Sequence, residues 1–107
     1  MILREWRCRC PVEHGEGFLA WLRETGLRDA LALPACRGAQ ILTRDLDNGR
    51  VEITLQTCWD SLEAIHAYAG EDIEQARLYP GDERYAIEPE LTVRHYRVAE
   101  QLFRAAP

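Results

Sequence analysis

Apolar and polar positions alternate from Ile2 to Cys10. Ile2, Trp6, Cys8 and Cys10 share one face, and Glu5, Arg7 and Arg9 share the other with Leu3. A period of two predicts a β-strand. Arg4 breaks the pattern by standing on the apolar face. Pro11 then predicts a helix start, with Phe18, Trp21, Leu22 and Thr25 at helical spacing and Gly26 as the stop. Gly15 and Gly17 weaken the first turns and allow a later start. Leu27 to Arg37 reads as irregular, because Pro34 excludes a long helix through it.

Two strands joined by a hairpin follow. Ala39 to Arg44 leads into Asp45-Leu46-Asp47-Asn48-Gly49, and Asn-Gly suits a turn whose central residues need positive φ. The return strand, Arg50 to Trp59, sets Val51, Ile53, Leu55, Thr57 and Trp59 on one face. Glu52, Thr54, Gln56 and Cys58 form the other, which is polar yet little charged and suits burial against a partner or a cavity. Asp60 and Glu63 have capping-box spacing and open a second helix striped by Leu62, Ile65 and Ala69, flanked by His66 and Tyr68 and ended by Gly70. Asp72 and Gln75 repeat the spacing and predict a short helix through Ile73, Ala76 and Leu78 that stops at Pro80-Gly81. Leu91 to Val98 reads as the last strand.

The order is β-α-β-β-α-β, so the fold class is α+β: a ferredoxin-like subunit with both helices on one face of an antiparallel sheet. The length of 107 residues suits a single domain, and no linker or repeat divides the chain. The second sheet face needs a cover that two helices do not supply. A homodimer is the expected partner arrangement.

Composition narrows the partners. Acidic residues number 18 against 13 basic ones, all of them Arg, for a net charge of −5. Nucleic-acid affinity rests on clustered positive charge, so neither a nucleic acid nor an anionic membrane is expected as a partner. An RNA-recognition module shares the strand order, and Trp6 and Trp59 could stack bases, but its basic-aromatic signature is missing. No apolar run approaches a membrane span. Arg4, Arg7 and Arg9 occupy the place where an export signal needs its apolar stretch, which predicts a cytoplasmic protein. Cys8, Cys10, Cys36 and Cys58 fit no zinc spacing, and Cys8 and Cys10 lie two apart on one strand face. Four free thiols and no metal site are expected.

No phosphate-cradling glycine loop, H-E-x-x-H or G-x-S-x-G is present. Cys58 could meet His95 or His66 across the fold as a nucleophilic pair, but it reads as a sheet residue, and His14 reads as solvated among Glu13 and Glu16. The informative group is Arg4, Trp6, Trp59, His66, Tyr68, Tyr79 and His95. Arg4 on an apolar strand face needs a buried acceptor or an anionic ligand. His95 takes a mid-strand position where an apolar residue is expected. Each could be a packed core residue; together they predict an aromatic-lined, weakly polar small-molecule pocket between helices and sheet.

From Trp59 through Tyr68-Ala69-Gly70 the sequence resembles the antibiotic biosynthesis monooxygenase family, in which a tryptophan ends the third strand before a helix opened by Ser and Glu. The likeness continues through Glu71 to Pro80 and closes with Glu90 to Tyr96. It implies a dimeric α+β barrel, two ferredoxin-like subunits packed sheet to sheet with a pocket in each. It also implies oxidation of aromatic polyketides or quinols by molecular oxygen with no cofactor. Trp59 matches the tryptophan of the haem-degrading branch. That branch's strand asparagine is absent, since Arg4 and Trp6 stand there, and Ala76-Arg77 stand where its histidine falls. Under the resemblance Arg4 would stabilise a substrate anion and His95 or His66 would act as base. Trp59 would border the chemistry, and Trp6, Tyr68 and Tyr79 would form the walls. A non-catalytic ligand-binding or stress-associated dimer of the same fold is the alternative.

Overall fold

The architecture is taken from a computed structural model that describes residues 1–106. Strand β1 (Ile2–Pro11) lies centrally, paired antiparallel along its length with β3 (Arg50–Trp59), which pairs in turn with β2 (Cys36–Leu46). The other edge of β1 is shared. A four-residue β5 (Arg94–Arg97) pairs with Ile2 to Glu5, and a two-residue β4 (Glu88–Pro89) pairs with Cys8 and Arg9. The result is a five-stranded antiparallel sheet of α+β, ferredoxin-like type. No helix among the described residues is long and apolar enough to cross a membrane.

The hairpin between β2 and β3 turns where the sequence predicts, with Asn48 at φ 66° and Gly49 at φ 70°. The predicted helix start at Pro11 does not hold. Pro11 stays extended and pairs with Arg50, and a single 3₁₀ turn (Val12–His14) intervenes before α1 (Gly15–Leu22). Gly26 does not stop the helix either. The chain widens into a π-helical turn (Arg23–Leu27) and continues as α2 (Arg28–Leu31). Continuation buries Ala30 completely against Trp59 and Ile65, and that packing overrides the weak helix propensity of glycine.

Helix α3 (Leu62–Ala69) is capped by Ser61, not Asp60: the Ser61 Oγ accepts from the Ala64 amide at 3.1 Å. Asp60 instead pairs with Arg37 at 2.7 Å. Gly70, at φ 92°, ends the helix as expected. The predicted helix over Asp72 to Leu78 is absent. Its backbone bonds go elsewhere: the Ala76 amide donates to Leu91 O and the Val93 amide donates to Glu74 O, leaving Gln75 and Thr92 as a lone bridge. Asp72 Oδ1 accepts from the Glu74 amide in a local turn. A 3₁₀ turn (Asp82–Tyr85) follows, and the last strand is shorter than Leu91 to Val98 because residues 91–93 serve this bridge.

Two apolar clusters fill the space between helices and sheet. One gathers Trp6, Cys8, Cys10, Phe18, Leu22, Val51, Ile53, Leu55 and Val93; the other gathers Ala30, Cys36, Trp59, Ile65 and Tyr68. Cys8, Cys10 and Cys36 are buried free thiols, Cys58 is half-buried on the open sheet face, and burial pushes the Cys8 thiol well up.

Two measurements check this account. Trp59→Ala empties a fully buried site and should cost about 3–5 kcal/mol in a urea titration, whereas Ser61→Ala should cost about 0.5–2 kcal/mol. A cost for Ser61→Ala indistinguishable from zero would remove the cap assignment.

Candidate functional site

The register of the sheet sets a polar row across its helix-covered face. Arg4 pairs with Thr57 on one side and with His95 on the other, so His95, Arg4 and Thr57 run in line and separate the two apolar clusters. Apolar packing cannot close over such a row. The gap becomes a cavity of about 20 Å³, room for a water molecule or so. Its floor is sheet: Arg4, Trp6, Leu55 and Thr57. Phe18, Leu22, Thr25 and Gly26 come from the first helical run and Tyr68 from α3. Arg77, Tyr79, Asp82 and Val93 close it from the irregular segment.

Arg4 is 4% exposed and makes no ion pair among the described residues. Its Nη1 donates to Ile73 O and to His95 Nε2, the latter at 3.1 Å, and its Nη2 donates to Gln75 O at 2.9 Å. The guanidinium also sits 5.9 Å from the centre of the Tyr68 ring. Three of its five N–H donors meet neutral acceptors, which leave its charge uncancelled. Burial pulls its pKa down, and Tyr68 and Glu74 oppose that shift.

An arginine always donates, so His95 Nε2 must carry a lone pair and the ring proton must sit on Nδ1. That Nδ1 is buried without a hydrogen-bond partner, with Glu74 Oε1 at 3.7 Å. Burial, and then the Arg4 charge, lower the His95 pKa. His95 is thus a neutral ring held behind Arg4, outside the cavity wall, with its basic nitrogen occupied.

The other sequence candidates divide. Trp6, Tyr68 and Tyr79 line the cavity with Arg4. Trp6 is fixed by donation from Nε1 to Glu90 O at 2.9 Å. Burial raises the Tyr68 and Tyr79 hydroxyls, so both stay protonated at neutral pH. Trp59 is fully buried in the second cluster, its Nε1 donating to Thr57 Oγ1 at 2.7 Å, and does not reach the cavity. His66 lies on the exposed flank of α3, where Nδ1 bonds Gly70 O at 2.9 Å and helps close the helix end.

Sequence reading missed Arg77 and Asp82. The Arg77 guanidinium lies 4.9 Å from both the Tyr68 and Tyr79 ring centres and donates to Tyr68 O. Asp82 Oδ1 accepts from Trp21 Nε1 at 2.7 Å and Oδ2 accepts from the Tyr79 amide at 2.9 Å, which ties the irregular segment to α1. Arg77 falls within the stretch that reads as a short helix, off its apolar stripe, and Asp82 lies in no periodic stretch, so no spacing reveals either. No cluster of three or more metal-ligating side chains occurs among the described residues.

The His95 geometry fixes the sign of a pH effect. Below the ordinary value of 6.5 the unfolded chain takes up a proton that folded His95 resists, so stability is lost as pH falls through and below that value. His95→Gln keeps an acceptor for Arg4 and does not titrate. Between about pH 7.5 and about pH 5 its urea midpoint should fall less than that of the wild type. Equal falls would mean that His95 protonates freely in the folded protein.

No protein-family model matches the chain, and no curated protein matches it either. Solved structures do. A protein of Deinococcus radiodurans, proposed to be an antibiotic biosynthesis monooxygenase, aligns at TM-score 0.53 and 20% identity over 99% of this chain and 100% of its own. A dimeric ferredoxin-like protein from an uncultured marine organism aligns at TM-score 0.56 and 15% identity, over 97% of this chain and 100% of its own. At such identities the likeness is one of fold: this chain shares the ferredoxin-like architecture of both.

Proposed function

We propose that the cavity binds a small hydroxylated aromatic or quinol as its anion, and that the chain, acting as one domain of a homodimer, oxygenates it with molecular oxygen. The observation that carries this reading is Arg4. A buried cation whose hydrogen bonds end on carbonyls and a neutral imidazole projects its charge into an aromatic-walled cavity, and an aromatic oxyanion matches both features. The fold neighbour proposed to be a monooxygenase points to the same chemistry.

The electron balance needs no outside reductant. When a hydroxyanthrone ionises, its ring methylene, set across the central ring from the carbonyl, loses a proton and the resulting phenolate-type anion passes electrons to oxygen. One oxygen atom replaces the two methylene hydrogens as a new carbonyl, and the other leaves with them as water. Arg4 and the Tyr68 hydroxyl would hold the negative oxygen, while Trp6 and Tyr79 would fix the ring plane. Arg77 and Asp82 would have to swing outward on their irregular segment, because an aromatic ring needs on the order of 150 Å³.

A second reading, a binding protein without turnover, is favoured by one specific observation: His95 Nε2 is taken by Arg4, so the nearest histidine supplies no free base. His95 is accordingly proposed to position Arg4, with Trp59 and His66 in structural roles.

Dimerisation is proposed through the open sheet face. Gln40 donates to Gln56, Gln56 donates to Glu5, and Arg94 lies 3.7 Å from Glu5, forming a ladder across four strands. Leu42 and Tyr96 stand exposed on the same face, and one fold neighbour is dimeric. A cytoplasmic setting suits four reduced cysteines.

Incubation with a hydroxyanthrone and a set of quinols under oxygen should give product with one oxygen consumed per anthrone. Arg4→Met should lower that rate about 10²-fold or more while its circular dichroism stays native. Saturable binding without oxygen uptake would select the second reading. Sedimentation should return about twice 12.3 kDa, and a 12.3 kDa species at micromolar concentration would overturn the dimer.

A further inference from the structure

Gly26 lies inside the helical run, in the π-helical turn, and is buried. Glycine is the poorest helix former after proline. Positive φ among the glycines belongs to Gly49, Gly70 and Gly81, so the backbone at Gly26 makes no demand that an alanine could not meet. Space decides instead. A Cβ built there would lie 3.3 Å from the Tyr68 hydroxyl oxygen, 3.3 Å from Leu55 Cδ2 and 3.4 Å from Leu22 Cδ1. All three neighbours line the cavity beside Arg4.

We propose that Gly26 is a specificity-determining residue: its missing side chain keeps the inner end of the cavity open, so that the oxygen of a phenolic ring can reach the Tyr68 hydroxyl. This rests on the reading above that the cavity takes a phenolic anion. The hydroxyls on the wall are not equivalent. Thr25 Oγ1 donates to Trp21 O at 2.9 Å, and Tyr79 Oη donates to Asp29 Oδ2 at 2.8 Å. Thr57 Oγ1 is engaged as acceptor for Trp59. Burial keeps Tyr68 protonated against the opposing pull of the neighbouring Tyr79 hydroxyl, and Tyr68 is the hydroxyl that Gly26 uncovers. In a cavity of about 20 Å³ one added methyl group takes a large share of the space. A wide π turn at this point also suits a functional wall, since such turns recur at sites where a helix opens toward a ligand.

The test uses 4-nitrophenol, whose anion is yellow, so that binding as the anion raises the visible absorbance at a pH where the free dye is partly neutral. The wild type should bind it. Gly26→Ala should bind about tenfold more weakly or worse while melting within about 4 °C of the wild type, because the helix preference of alanine offsets the crowding of three contacts at 3.3–3.4 Å. Tyr68→Phe should lose affinity about tenfold through the missing donor. Two results would overturn the assignment and leave the anion-binding reading standing: wild-type affinity in either variant, or a melting temperature for Gly26→Ala lower by more than about 4–8 °C, which would assign Gly26 to packing alone. A wild-type chain that leaves the dye spectrum unchanged would remove the anion-binding reading and this assignment together.

Discussion

A guanidinium buried without a carboxylate organises much of this molecule. Leaving Arg4 unsatisfied in the interior would be severely destabilising, so the chain around it is arranged to supply acceptors. Two are the carbonyls of Ile73 and Gln75, and the third is His95 Nε2. The consequences spread outward. Carbonyls bent toward Arg4 keep the Ile73 to Gln75 backbone out of a helix, while the neighbouring amides and carbonyls pair with residues 91–93. The imidazole must be neutral and must carry its proton on Nδ1, which makes no hydrogen bond and has Glu74 Oε1 at 3.7 Å. The polar row of His95, Arg4 and Thr57 splits the core into two clusters and leaves the cavity between them. Replacing Arg4 by an apolar residue would relieve these demands and remove the reason for the cavity.

Much of the fold is legible in the sequence because strands and turns are governed by local rules. Alternation marks β1 and β3, Asn48-Gly49 marks the hairpin, and Gly70 marks the end of α3. The misreadings share a cause, in that a local signal was outweighed by a distant partner. Gly26 reads as a stop, but Ala30 gains a buried place against Trp59 if the helix continues. Asp72 and Gln75 read as a capping pair, but Arg4, far away in sequence, claims the carbonyls that a helix would use. Asp60 reads as a cap, but Arg37 takes its carboxylate and Ser61 does the capping.

The candidate site was legible to the same extent. Arg4 and His95 announce themselves as polar residues on an apolar strand face, and the structure sets them in contact. Trp6, Tyr68 and Tyr79 come together as the aromatic pattern suggests. His66 does not, since its place on α3 points it to the exposed flank. Trp59 is drawn away by its own inner-face position, which puts it in the second cluster. Arg77 and Asp82 stand on no apolar stripe and Gly26 reads only as a helix stop, so three-dimensional contacts are what place them at the cavity.

The two faces of the sheet are coupled through the short pairing of β1 with β5. β5 contributes four residues, and the register places Arg94 opposite Glu5 and His95 opposite Arg4. Neighbouring residues of one strand therefore face opposite ways: His95 holds Arg4 on the helix side, and Arg94 lies beside Glu5 on the open side. Glu5 is 6% exposed, and its carboxylate is shared among Gln56, Arg7 and Arg94, so it is almost as dependent on its partners as Arg4 is. A shift of β5 by one residue would exchange its faces, and in one direction it would place Arg94 against Arg4 and His95 against Leu3. Both buried charges would lose their arrangement at once, and two cations would meet in the interior. The register of this brief strand is thus fixed by charge on both faces, and the cavity and the open face cannot vary independently.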